Sequence, residues 1–248
     1  MRPTADRGAT IHSVAELDQP STQQLGAVPS PRRAYPPPPA SEPLWPALAA
    51  ILVAIGLQLL LPNRVTAGPR WLLPALETAL LIVLVFASPR ELEGPHRVRK
   101  LLSRSLTALV SVANTISLIL LTHELLHHSV TNGRGLVFAG ALIWLTNVMI
   151  FGLWYWETDR GGAGMRAAGR DGPPDFLFPQ MTDDAIEPLN WRPQFIDYLY
   201  VSLTNNLALS PTDTMPLSRT AKSIMGVQSL ISVVTIALVI SRAVNILQ

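Results

Sequence analysis

Residues 136–156 read LVFAGALIWLTNVMIFGLWYW. These 21 residues carry no charged side chain. As a helix rising 1.5 Å per residue they reach about 32 Å, enough to cross the ~30 Å hydrocarbon core of a bilayer. The run ends in Trp154, Tyr155 and Trp156, whose amphipathic rings suit the headgroup layer. Four further apolar runs, 45–61, 71–88, 105–121 and 224–247, have 17 to 24 residues each. Five such runs leave too little polar chain to cover them in water. The expected fold is all-α: a polytopic integral membrane bundle of about five spanning helices in a lipid bilayer.

Composition agrees. The chain is 48% hydrophobic and 15% charged, where a soluble domain has about 25% charged residues. It has no cysteine, which excludes disulfides, thiolate nucleophiles and cysteine zinc sites. A net charge of +2, with the basic residues not gathered into a stripe, excludes nucleic acid as a partner. Residues 1–43 are polar and proline-rich, include Pro36 to Pro39, and hold four basic and four acidic residues. They cannot bury enough apolar surface to offset ordering, so a disordered, partly polyproline tail is expected. Residues 44–248 form the transmembrane domain.

Basic residues in short loops set orientation. Arg32, Arg33, Arg90, Arg97, Arg99, Lys100 and Arg104 fall on one side; Arg64, Arg70 and Arg134 fall on the other. The excess predicts a cytoplasmic N-terminus and a cytoplasmic loop at about 157–193. That loop includes Gly161, Gly162 and Gly164. No strand pattern precedes them and no Gly-Lys-Ser/Thr follows, so the segment reads as a flexible loop rather than a phosphate cradle.

The segment 194–222 departs from the spans. Its residues 195–222 read FIDYLYVSLTNNLALSPTDTMPLSRTAK. The apolar part ends at Ser210-Pro211 after about 14–16 residues, too short to span and suited to a re-entrant or short helix at about 194–209. Non-helical backbone at membrane depth must be buried in protein or line a watery cavity. A polar pore-loop-like site of Thr204, Asn205, Asn206, Ser210, Thr212 and Asp213 is therefore expected, with amide dipoles and a carboxylate offered to ions. The order Asp213, Pro216, Ser218, a basic pair and an apolar helix resembles the stretch after the filter in two-span potassium-channel pore domains. The resemblance implies 136–156 as the outer helix, 224–247 as the inner one, Thr204 near the filter start and Asp213 at its exit. It also implies a homo-oligomer, since such a pore needs several copies around one axis. No glycine lies between Gly172 and Gly226, so the strained carbonyl filter that selects potassium is not expected. The charge count also places this loop inside, whereas that family keeps its filter outside.

More widely, the passages WYWETDRGG, PDFLFPQM, DYLYVSLTN, SPTDTMPL and SRAVNIL resemble a family of uncharacterised bacterial integral membrane proteins. That implies a multi-pass protein of the inner cell membrane and no particular activity.

Two other features carry chemistry. His123-Glu124-Leu125-Leu126-His127 matches the H-E-x-x-H pattern. On a helix the imidazoles share a face, so they could bind zinc while Glu124 activates its water, giving an intramembrane zinc hydrolase as an alternative function. Asp159, Asp183 and Asp213 qualify as third ligands by residue type alone. The competing account is a pair of histidines placed favourably at a helix C-terminus. With no segment in the sequence like the one that supplies the third ligand in intramembrane zinc proteases, the leading expectation has neither catalysis nor a cofactor. Glu77, mid-span, is an intramembrane carboxylate and a functional candidate by default; it could relay protons, pair with Arg242 or be protonated. Arg242 is expected to snorkel. Asn114, Thr115 and Asn147 are expected to bond neighbouring helices.

Overall fold

The computed structural model describes residues 43, 45–66, 68–87, 96–127, 133–167, 172–182, 191–208 and 213–247. Seven α-helices lie among the described residues: α1 (Trp45–Leu59), α2 (Leu72–Ala87), α3 (His96–His127), α4 (Gly133–Thr158), α5 (Ala163–Ala167), α6 (Phe195–Ala208) and α7 (Arg219–Leu247). Two short strands, β1 (Phe176–Leu177) and β2 (Met215–Pro216), pair antiparallel, with Phe176 opposite Pro216 and Leu177 opposite Met215. The protein is mostly helical, and among the described residues three helical stretches, Lys100–Leu126, Arg134–Gly161 and Arg219–Val244, are long and apolar enough to cross a membrane. The expected tail, 1–43, lies outside the described residues except for Pro43.

The helix bounds follow the apolar runs closely, with one difference. α3 begins at His96, well before the apolar run at 105. Its first turns contain Arg97, Arg99, Lys100 and Arg104, which the charge pattern had placed in a loop. Helix continues there because α3 still has partners. Ser103 Oγ donates to Glu157 Oε1 at 2.8 Å, and the Arg104 guanidinium donates to the Glu157 carbonyl at 3.3 Å. α1 and α2 reach only about 22–24 Å at 1.5 Å per residue. α6, with 14 residues, reaches about 21 Å.

α4 is the hub. It packs against α1, α3, α6 and α7, which explains why its apolar side chains are not confined to one face. α1, α3, α6 and α7 all begin at the end where α4 finishes. The cross-helix contacts show this: Ser103 with Glu157, Tyr198 with Asp159 and Gln228 with Tyr155. At the opposite end, Leu61 and Val65, just beyond α1, pack with Leu118, Leu121, Ala139 and Ile143. α7 turns a broad apolar face outward through Val227, Leu230, Val233, Val234 and Ile240.

Small residues let the helices approach, as is usual where lipid supplies no hydrophobic drive between them. A Cβ on Gly152 would lie 3.2 Å from the Leu199 Cα of α6, and one on Gly140 would collide with Val239 of α7. Gly56, on α1, has nothing within 4 Å. Gly152→Val is therefore expected to destabilise by about 1–3 kcal/mol, because backbone cannot rotate away from the added methyls. Gly56→Ala should be neutral or stabilising by up to about 1 kcal/mol. Thermal unfolding of the two variants in detergent checks both; an unchanged midpoint for Gly152→Val would contradict the α4–α6 packing.

Candidate functional site

The polar residues of α6 occupy one helical face. Ser202, Asn205 and Asn206, at spacing i, i+3 and i+4, all point into the α4–α7 seam and are buried. The Ser202 hydroxyl donates to the Val148 carbonyl of α4 at 2.7 Å. Gln228 of α7 donates to Ser202 Oγ at 2.8 Å and accepts from Asn205 Nδ2 at 2.9 Å. The Tyr155 hydroxyl also donates to Gln228. One step deeper, Asn147 Nδ2 donates to Asn206 Oδ1 at 2.9 Å, and Trp144 Nε1 donates to Ser232 Oγ at 3.2 Å. Asn147 lies near the middle of α4, so α6 stops about halfway along its neighbour.

The cap above this seam is built around Asp159, which is fully buried. Its Oδ2 accepts from the Tyr198 hydroxyl at 2.6 Å, and its Oδ1 accepts from the Asp175 backbone N–H at 2.7 Å. The Arg160 guanidinium lies 3.7 Å from the same carboxylate. α4 ends here because Arg160, Gly161 and Gly162 take positive φ of 54°, 85° and 101°. Any Cβ at Gly162 would come within 2.8 Å of the Glu157 carbonyl oxygen, so glycine is required there. Arg166 Nη1 then bonds the Trp156 and Asp159 carbonyls at 2.9 and 2.7 Å. This covers the helix's unsatisfied acceptors with a cation, which the negative end of the helix dipole favours. Phe176 and Phe178 pack on Tyr198, with centroids 6.2 and 5.5 Å away, and Arg166 lies over the rings of Trp156 and Tyr198.

The glycine-rich stretch is thus a helix terminator, and the described part of 157–182 is a packed aromatic cap rather than the flexible loop expected. The remainder of that loop, 168–171 and 183–190, lies outside the described residues. Four of the passages quoted above meet at this point, through Asp159, Phe176, Tyr198 and Met215. Asp197 supports the start of α6 by accepting from the Gln194 backbone N–H at 2.7 Å. Burial holds its carboxyl above the ordinary range against the pull of that bond.

Of the six expected pore-loop residues, the four that are described, Thr204, Asn205, Asn206 and Asp213, do not share one cavity. Asn205 and Asn206 are spent on interhelical bonds, and Thr204 donates back to the Tyr200 and Val201 carbonyls of its own helix. Asp213 is exposed and lines a separate cavity of about 400 Å³ with Leu177, Phe178, Thr182 and Thr214. Ser210 and Thr212 lie outside the described residues. Ser218 caps α7, its Oγ accepting from the Ala221 N–H at 3.0 Å.

Glu77 is fully buried, and its Oε1 accepts from Gln58 Nε2 of α1 at 3.3 Å. Gln58, rather than Arg242, is its partner. Arg242 is buried, at 8% exposure. His123 is exposed and Glu124 half-buried, while the His127 side chain lies outside the described ones. Among the described residues no group of three His, Asp or Glu side chains is placed to hold a metal. Asp159 is engaged in the cap, and Asp183 lies outside the described residues. Asn147 bonds a neighbouring helix as expected, whereas Thr115 bonds back to Ser111 of its own.

Of the residues that organise this region, Arg166, Tyr198 and Gln228 are not singled out by the sequence reading, which considers Asp159 only as a zinc ligand and Tyr155 only as a headgroup-layer ring. The one available signal was spacing: Ser202, Asn205 and Asn206 on α6 and Gln228 and Ser232 on α7 each mark a single face. Comparison of the chain with protein-family models, with curated proteins and with solved structures finds no match.

Tyr198→Phe removes a hydrogen bond to a buried carboxylate and is expected to cost about 1.5–3 kcal/mol. Tyr200→Phe, at an exposed position, should stay within about 0.5 kcal/mol of wild type. Equilibrium unfolding of both variants in mixed micelles provides the comparison; equal stabilities would contradict the role given to Asp159.

Proposed function

We propose that the chain is a multi-pass protein of the bacterial inner membrane, channel-like or transporting in function, with a cytoplasmic N-terminus. In this reading α1, α2, α3, α4 and α7 are the five spans and α6 is re-entrant. α1 and α2 fall short of about 30 Å and are accommodated by local thinning of the bilayer.

The observation that carries the reading is the path of the chain around α6. It enters beside Asp159, reaches Asn206 next to Asn147 at mid-depth, and is back beside Leu177 by Met215. A half-length helix followed by a return to the same side belongs where backbone lines a polar route. Because Asn205 and Asn206 face the seam, they hold α6 in place, and in this reading the polar route starts at the cavity lined by Leu177, Phe178, Thr182, Asp213 and Thr214. The cavity carrying Asp213 is its vestibule, and one exposed carboxylate there raises the local concentration of cations. The outward apolar face of α7 is where further copies would pack around a common axis.

Purified protein in liposomes should pass a small monovalent cation. Asp213→Asn is expected to reduce that flux by roughly threefold to tenfold at low salt and less at high salt, as screening predicts. Liposomes that pass none of the common ions would end the proposal.

A further inference from the structure

A second cavity, of about 320 Å³, lies between α3, α4 and α7, away from the α6 return. Its walls are Ile150, Phe151, Trp154, Ile224, Val227 and Ile231, and no charged residue lines it. Val227 is exposed on the outer face of α7, so the groove communicates with the surroundings of the bundle. Its depth is set by α4, whose lining residues run from Asn147 to Trp154, within the apolar part of the helix.

The polar groups of the groove are almost all committed. Ser111 Oγ donates to the Thr107 carbonyl at 2.6 Å, and Thr115 Oγ1 donates to the Ser111 carbonyl at 2.8 Å. Trp154 Nε1 donates to Ser111 Oγ at 2.9 Å, and Asn147 Nδ2 donates to Asn206 Oδ1 at 2.9 Å. Ser223 is exposed. Asn114 is the exception: it lines the groove, is 3% exposed, and its Oδ1 has no hydrogen-bond partner among the described residues. An acceptor left bare at this depth is costly, since lipid tails offer it nothing.

We propose that this groove binds an uncharged, lipid-soluble molecule whose hydroxyl hydrogen-bonds the Asn114 carboxamide. The absence of charge in the lining excludes an ionic headgroup. Neither end of the Asn114 carboxamide has a hydrogen-bond partner among the described residues, so the site favours a hydroxyl, which both donates and accepts, over an ether or ester, which only accept. The volume lies at the lower end of small-molecule sites, about 300–1,000 Å³, so a slender body fits. A phospholipid acyl chain, or an apolar helix from a second copy, would fill the walls but leave Asn114 bare.

The test is photolabelling of the full chain in phosphatidylcholine nanodiscs with a diazirine-bearing octanol, the adducts being mapped by mass spectrometry. Adducts are expected on Ile150, Phe151, Ile224 or Val227. Excess decanol should suppress them at least ~5-fold and decane should not, the factor that loss of one ordinary hydrogen bond carries. Asn114→Leu, close to isosteric, should lower labelling by a similar factor. Val227→Trp, which fills the groove from an exposed position, should block labelling with Asn114 intact and keeps the test decisive if Asn114→Leu fails to fold. Equal competition by decane identifies a plain acyl-chain groove and overturns the proposal. So does labelling that Asn114→Leu leaves unchanged, or adducts absent because a second copy covers the groove.

Discussion

The hydrogen bonds that tie α6 into the seam between α4 and α7 are the constraint on which the rest of the arrangement depends. In a bilayer, burying apolar side chains against one another gains little over burying them in lipid. A 14-residue helix carrying Ser202, Asn205 and Asn206 therefore cannot be held by its apolar surface. It is held because Gln228, Tyr155, Asn147 and Ser232 present matching groups at the right depth. Each such bond averages only about 0.6 kcal/mol, but several together reach a few kcal/mol. Left unmatched in hydrocarbon, the same side chains would cost several kcal/mol apiece. Gly152 and Gly140 belong to this constraint, since backbones must come close before short polar side chains can meet.

The cap follows from the same requirement at the helix end. α4 stops where Arg160, Gly161 and Gly162 turn left-handed, and its last carbonyls need donors that the bundle does not otherwise supply. Arg166 fills that need, while Asp159 gathers Tyr198 and the Asp175 amide onto one carboxylate. The strand pair β1–β2 then joins the segment after α4 to the segment before α7. The start of α6, the end of α4 and the approach to α7 are thus fixed to one another, and the cavity around Asp213 opens beside that junction. The groove at Asn114 lies on the other flank of α4 and shares only Asn147 with the seam.

Much of the helical framework was legible because the physical signal is local. A predominantly apolar run of 17 or more residues favours helix whatever its neighbours, and Pro62 and Pro89 follow two of those runs. The brevity of α6 was legible for the same reason. The start of α3 was not, because helix continues through Arg97 to Arg104 by virtue of contacts with Glu157, 53 residues away from Arg104. The described part of the loop after α4 packs as a cap that the sequence does not disclose, because Asp159 and Arg166 look like ordinary surface charges until Tyr198 and the α4 terminus are brought to them.

The sequence by itself therefore determined that the chain is mostly helical, that some of its helices are long and apolar enough to cross a membrane, and that the segment around α6 is shorter than these. These follow from the hydropathy and length of contiguous residues. Only the tertiary structure decided what the polar exceptions do. Asn205 and Asn206 became fasteners, Asp159 an anchor, Glu77 the partner of Gln58, and Asn114 an acceptor without a donor. The physical reason is that a polar side chain in lipid is defined by the group it faces, and that group lies on another helix.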